Sequence, residues 1–235
     1  GDTTGAISLG DSGFESAVFD PLKFEVLRAP GYGDPGWLKA ALSLVEARAA
    51  EIAAVVLEPL VQAASGMLVG DASQVRELAT RCRDKGILVI TDEVATGFGR
   101  TGAMFASELC GLEPDLMCIG KGLTGGYLPM SATVASEAVY REFLGEDSGP
   151  LTFYHGHSYG GNALAAAVAL AHLELMERWR VLEHVRAMAD HLGSLLERDV
   201  AGQRGVKEVR RAGLMVGVEL APRGKGLELG KRVCA

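Results

Sequence analysis

Asp92 and Lys121 each close a short apolar run. Ile87-Leu88-Val89-Ile90-Thr91 leads into Asp92, and Leu116-Met117-Cys118-Ile119-Gly120 leads into Lys121. Continuous apolar runs of this length fit strands buried on both faces, as in a parallel sheet. In open α/β sheets the ligand sits outside the carboxyl ends of the strands. The carboxylate and the amine are therefore expected where a ligand would lie. A lysine there can condense with an aldehyde, and an aspartate can face a pyridine nitrogen, which together are the needs of a pyridoxal phosphate enzyme. At an effective dielectric near 20, a charge pair about 4 Å apart is worth roughly 4 kcal/mol. That is about 3 pKa units, enough to hold the ring nitrogen protonated. Val94 shares a strand face with Asp92 and is expected to pack flat against the ring. Glu58 ends an earlier apolar run, from Ile52 to Leu57, and can hydrogen-bond the groups that hold the cofactor.

Three other patterns bear on chemistry. Gly97-Phe98-Gly99-Arg100-Thr101-Gly102 matches the dinucleotide fingerprint G-x-G-x-x-G. That fingerprint needs its first glycine right after a strand and an acidic residue ending the next strand. Here Asp92 to Thr96 intervene and the next run ends in Lys121, which argues against a nicotinamide site. His155 and His157 have the look of metal ligands, but no further His or Cys stands suitably close, so no metal is expected. The run Tyr154-His155-Gly156-His157-Ser158-Tyr159-Gly160-Gly161-Asn162 precedes a helical pattern with Leu164, Val168, Ala171 and Leu175 on one face. Backbone N–H groups and the Ser158 hydroxyl at a helix start suit a phosphate.

The elements that must position these residues follow from periodicity. Pro35 is expected to open a helix with Trp37, Leu38, Ala41 and Val45 on its apolar face. Asp71 can cap a helix carrying Val75, Leu78, Ala79 and Cys82, with Gly86 stopping it. Strand, helix, strand, short helix, strand is the order of a parallel sheet with right-handed crossovers. After Lys121, a further strand is expected from Ser131 to Ala135 and a short helix from Glu137 to Leu144. A long helix then points Leu182, Val185, Met188, Leu192 and Leu195 inward. Val206 to Leu220 reads as strand, turn and strand. The expected class is α/β: a large domain over residues 1–200 and the start of a smaller α+β domain over 201–235.

The chain has 235 residues, 48% of them hydrophobic, enough for one large core. A net charge of −7, without Lys/Arg runs, argues against nucleic acid or an anionic membrane as partner. Cys82, Cys110, Cys118 and Cys234 form no C-x-x-C pair, and Cys82 and Cys118, in apolar periodic segments, read as reduced core thiols of a cytoplasmic protein. No signal peptide or long apolar span is visible.

The two central segments, Asp92-Glu93-Val94-Ala95-Thr96-Gly97-Phe98-Gly99-Arg100-Thr101-Gly102 and Gly120-Lys121-Gly122-Leu123-Thr124-Gly125-Gly126-Tyr127-Leu128-Pro129, resemble the class III aminotransferases. The resemblance spans almost the whole chain. It implies the large domain of a fold-type I pyridoxal-phosphate-dependent transferase acting as a homodimer. Lys121 would hold the cofactor and move the proton, Asp92 would face the ring nitrogen, and Val94 and Glu58 would complete the cofactor site. Gly156, His157 and Ser158 would serve the cofactor phosphate of the neighbouring subunit, with serine in place of the usual threonine, and Gly156 would also touch substrate.

Two details resemble the members that form diaminopelargonate from 8-amino-7-oxononanoate on the route to biotin. Ala95 stands where most relatives carry glutamine, and Glu58-Pro59-Leu60-Val61-Gln62-Ala63-Ala64-Ser65-Gly66-Met67 lacks the Gln-Gly-Glu-Gly of ornithine-type enzymes. Arg100 would then sit at the substrate or amino-donor site and Asp2 would line the substrate pocket, with S-adenosylmethionine or lysine as amino donor. An ω-amino acid or ornithine-like transaminase is the alternative within the family. The family's upstream glycine-serine phosphate site, stacking tyrosine and separate C-terminal carboxylate-binding arginine have no counterpart here, so a fragment of a longer protein is expected. Its own alternative role is to bind only the cofactor or a partner subunit.

Overall fold

The computed structural model of the protein describes residues 3–10 and 16–221. Asp2, expected in the substrate site, and Cys234 lie outside the described residues.

A short helix α1 (Thr4–Leu9) is followed by a 3-10 stretch and then by α2 (Trp37–Arg48). The latter begins at Trp37 behind Gly36, so Pro35 sits in the preceding turn and does not open the helix. Strands β1 (Ala54–Leu57), β2 (Val61–Gln62) and β3 (Leu68–Val69) lead to α3 (Ala72–Asp84). The start of α3 is fixed by Asp71, whose Oδ1 accepts the N–H groups of Ser73 at 2.7 Å and Gln74 at 3.2 Å. Its end follows from Gly86, which adopts φ +73°.

Val75, Leu78, Ala79 and Cys82 recur at helical spacing and are buried against Trp37, Ala41 and Val45 of α2 and against Ile87 and Val89. Each fully buried Val or Leu of this set contributes roughly 1.5–3 kcal/mol. Trp37 is held in place by an edge contact with Tyr32 at 5.0 Å and by donation from Nε1 to Gln74 at 3.0 Å.

Strand β4 (Leu88–Asp92), helix α4 (Ala106–Cys110), strand β5 (Leu116–Ile119) and strand β6 (Ala132–Ala135) complete a four-stranded sheet in the order β1-β4-β5-β6. The first three strands are parallel and β6 is antiparallel. The register sets Leu57 beside Thr91 and Asp92 beside Cys118, which brings the carboxyl ends of β1, β4 and β5 into line.

Burial departs from the expected two-sided pattern. Val55, Leu57 and Val89 face the α2–α3 layer, whereas Val56 and Leu88 on the opposite face are 38% and 37% exposed. β1 and β4 are thus covered mainly from one side among the described residues, while all four residues of β5 are half-buried. The strand alternation imposed by the pleat decides which residues the helices reach.

Helix α5 (Glu137–Arg141) is shorter than expected. Helices α6 (Ala163–Arg178) and α7 (Val181–Asp199) follow. The buried positions of α6 are Ala165, Ala169 and Met176, while Leu164 is 66% exposed, so the face is rotated from the expected one. In α7 the buried positions are Ala189 and Gly193, and Met188 is exposed. Small residues win these contacts because a close approach is needed: Arg211 lies against the backbone at Gly193. The chain then makes a hairpin of β7 (Val206–Ala212) and β8 (Met215–Leu220), turning at Gly213-Leu214. No helix among the described residues is long and apolar enough to cross a membrane.

Candidate active site

The aligned strand ends carry one charged residue each. Glu58 follows β1, Asp92 ends β4, and Lys121 stands just past β5. The groups sense one another. Burial pushes the Glu58 carboxyl above its usual range, the Ala63 N–H opposes this, the Asp92 charge adds to it, and Lys121 opposes it. Glu58 is fixed by the Ala63 N–H, 3.1 Å from its Oε2. Its carbonyl accepts the Tyr32 hydroxyl at 2.7 Å. The Asp92 carboxylate is oriented by its own turn, accepting the Val94 N–H at 3.0 Å. Val94 comes beside the lysine segment, its Cγ1 lying 3.6 Å from where a Cβ on Gly120 would stand.

Lys121 opens a 3-10 turn, Lys121–Thr124, with its backbone at φ 44°. The turn is pinned from three sides. Gly122 lies under Phe98, where a Cβ would come within 2.9 Å of the phenylalanine Cβ. Gly125 lies under His172 of α6, where a Cβ would meet Cδ2 at 3.0 Å. The buried Thr124 hydroxyl donates to the Leu128 carbonyl at 2.5 Å. Lys121 itself is exposed and forms no ion pair among the described residues. An unpaired amine on a rigid turn, beside a carboxylate one strand away, is an arrangement that can capture an aldehyde and serve a ring held between them.

Glu93 is the functional-site residue that sequence reasoning passed over. It points to the opposite face from Asp92 and is completely buried. Its carboxylate accepts the N–H of Ala106 at 3.1 Å and both the N–H and hydroxyl of Ser107, at 2.7 and 2.6 Å, as well as the Thr96 hydroxyl. It thereby caps α4 and closes the loop between Asp92 and that helix. The available signal was an acidic residue inside an otherwise apolar run, with a serine near the next helix start to receive it.

The loop closed by Glu93 contains Gly97 to Gly102. It is a chain of turns and no helix begins until Ala106, which excludes the dinucleotide geometry. Arg100 is exposed and folds back on its own loop, donating from Nη1 to the Ala95 carbonyl at 3.1 Å. Ala95 is buried in a cluster with Val61 and Met215.

The segment with Gly156, His157 and Ser158 stands apart and is exposed. Its hydrogen bonds stay internal: His157 accepts the Tyr159 N–H at 3.2 Å and the Gly160 N–H at 2.9 Å. The start of α6 is already capped by Asn162, which accepts from Leu164 and Ala165, each at 3.1 Å. Ser158 therefore sits ahead of the helix, with its hydroxyl free of that cap.

The family model described as aminotransferase class-III matches residues 1–233. An adenosylmethionine-8-amino-7-oxononanoate aminotransferase of Nitratidesulfovibrio vulgaris is 43% identical over 233 residues, covering 94% of this chain and 43% of the relative. The solved structure of such an aminotransferase from Methanocaldococcus jannaschii superposes with a TM-score of 0.92 at 39% identity, over 99% of this chain and 56% of that one. A taurine:2-oxoglutarate aminotransferase from Bifidobacterium kashiwanohense, solved in complex with PLP and glutamate, superposes with a TM-score of 0.70 at 30% identity, over 78% of this chain and 40% of that one. The chain thus spans about half the length of the curated relatives it matches, 43% and 51% for two of them.

Proposed function

The chain belongs to the class-III aminotransferases, and we propose that it forms part of a transaminase that converts 8-amino-7-oxononanoate to 7,8-diaminononanoate in biotin biosynthesis. The observation that carries this reading is the meeting of Glu58, Asp92 and Lys121 at adjacent ends of parallel strands. The family depends on pyridoxal 5'-phosphate, and the residues present fit that group. When bound, it supplies an aldehyde to receive the amino group and a ring that takes up the electron pair left on the donor carbon.

The chain's own residues do the rest. When the cofactor is bound, the exposed Lys121 amine would hold its aldehyde and, when free of it, would be the group placed to carry a proton. Asp92 would be the carboxylate that holds the ring nitrogen and keeps a proton on it. Val94 would pack on the ring, and Glu58 would bond groups near it. Arg100 receives the substrate carboxylate, and Asp2 receives its amine. The relatives' names favour S-adenosylmethionine as donor. Gly156, His157 and Ser158 offer backbone N–H groups and a hydroxyl to the cofactor phosphate of a second subunit. Exposed Phe153, Tyr154 and Tyr159, at 65%, 78% and 84%, support burial of this segment in a homodimer. The buried thiols of Cys82 and Cys110 suit a reducing, cytoplasmic setting.

The test uses the full-length protein. Borohydride reduction followed by peptide mapping should place a pyridoxyl group on Lys121, and Lys121→Ala should abolish the adduct. Label on another lysine would refute the assignment. The cofactor-amine form should then be returned to the aldehyde form faster by 8-amino-7-oxononanoate than by pyruvate or 2-oxoglutarate. The reverse order would transfer the reading to an ω-amino acid transaminase.

A further inference from the structure

The loop that carries Arg100 is gripped by residues far downstream. The Leu214 N–H donates to the Arg100 carbonyl at 2.9 Å. Next to it, Met215 is 2% exposed and packs on Ala95, the residue whose carbonyl receives the Arg100 guanidinium. Successive residues of the hairpin therefore hold both ends of the Ala95–Arg100 segment. Gly213 makes the approach possible. It has φ +60°, and a Cβ there would come 2.4 Å from the Thr101 carbonyl carbon and 2.7 Å from the Arg100 oxygen. Both are backbone atoms of a loop whose other end is tied down by Glu93.

The loop has little freedom to retreat. Leu182 and Val185 of α7 lie over Gly99, and Arg186 donates from Nε to the Gly102 carbonyl at 2.9 Å. The hairpin is anchored in turn. Arg211 donates from Nη1 to the Ala189 carbonyl of α7 at 2.9 Å and to the Gly213 carbonyl at 3.2 Å. Arg210 donates from Nη2 to the Gly66 carbonyl at 3.0 Å. Gly217 packs on Met67, where a Cβ would meet the methionine Cβ at 2.9 Å.

We propose that the Gly213–Leu214 tip of the β7–β8 hairpin is a positioning element for Arg100, fixing its height over the substrate site and so setting the affinity for the acidic substrate. Leu214 works through its backbone N–H and Gly213 through the absence of a side chain. The inference rests on Arg100 receiving the substrate carboxylate.

The experiment is a double-mutant cycle in the full-length holoenzyme with Gly213→Ala, Arg100→Ala and both together, following kcat and KM for 8-amino-7-oxononanoate and cofactor affinity by absorbance. Gly213→Ala is expected to raise KM about ten-fold, as for displacing one charged hydrogen bond, with kcat and cofactor affinity within about two-fold. In the Arg100→Ala background the same change should add less than about two-fold. Equal effects in both backgrounds, or loss of cofactor affinity along with KM, overturn the proposal. If Arg100→Ala alone leaves KM unchanged, the carboxylate role of Arg100 fails first and the positioning role falls with it.

Hydrogen exchange in the unaltered protein covers the case in which Gly213→Ala does not fold. The Leu214 amide should be protected, and more so with bound keto acid. Exchange as fast as that of the exposed Gly202 amide, or protection indifferent to keto acid, overturns the proposal.

Discussion

Replacing Glu93 with alanine should be among the most damaging single changes available in this chain. The structure gives the size. Two backbone donors, the N–H groups of Ala106 and Ser107, lose their acceptor in a site without solvent access. A buried donor left unpaired costs about 1–3 kcal/mol. The Ser107 and Thr96 hydroxyls can rotate toward other acceptors, so they add less. The sum is about 4 kcal/mol, at the edge of what single substitutions do.

Glu93→Gln keeps one acceptor oxygen and turns an amide N–H toward one of the backbone donors. It should cost about half as much. The assay is urea unfolding of the full-length protein followed by circular dichroism. With a slope near 3 kcal/mol per M, the alanine variant should lower the midpoint by about 1.3 M. Cofactor affinity should fall in parallel, because the side chain that is lost ties α4 to the residue directly after Asp92. A loss of under about 1 kcal/mol for Glu93→Ala would show that the loop holds without its carboxylate clamp and refute the reasoning.

Three further outcomes follow from other parts of the site. Burial raises the folded-state pKa of Glu58 above its unfolded value near 4.3, so the group opposes folding above that folded pKa and the penalty fades as pH falls toward about 4.3. Glu58→Gln should therefore leave stability at pH 7 undiminished and flatten its slope just above pH 4.3, measured by thermal melts across pH; an unchanged slope sinks this account. Burial pushes the thiols of Cys82 and Cys110 up to about 11, so iodoacetamide at pH 8 should leave both unlabelled by mass spectrometry until denaturant is added; labelling in the native protein would contradict their burial. Gly122→Ala places a Cβ 2.9 Å from the Phe98 Cβ and should weaken cofactor binding more than ten-fold by titration, about 1.4 kcal/mol or more; unaltered affinity would mean that the lysine turn is not held by Phe98.

Where a residue's placement depended on its immediate neighbours, the sequence exposed it. Asp92 and Lys121 could be read because each ends an apolar run, and parallel pairing aligns such ends. Asp71 and Gly86 could be read because capping is settled within a few residues. The faces of β1 and β4 could not, since an apolar run is compatible with cover on one side or two, and only the placement of α2 and α3 decided that Val89 is inside and Leu88 is not. The inward face of α6 was misjudged for a related reason. Leucines mark hydrophobicity, but the close contacts went to Ala165 and Ala169. The grip of Leu214 on Arg100 is a backbone bond between distant segments, and no side-chain pattern announces it.

Lys121 adopts a left-handed backbone that costs an L-residue roughly 1–2 kcal/mol and a glycine little. The position is thus one where durability and chemistry vote for different amino acids. Glycine would relax the turn and remove the amine. With lysine there, the strained turn is held in place by Phe98 packed on Gly122 and His172 packed on Gly125. The turn at Lys121 is therefore a place where a change to glycine would ease the backbone and remove the amine in a single step.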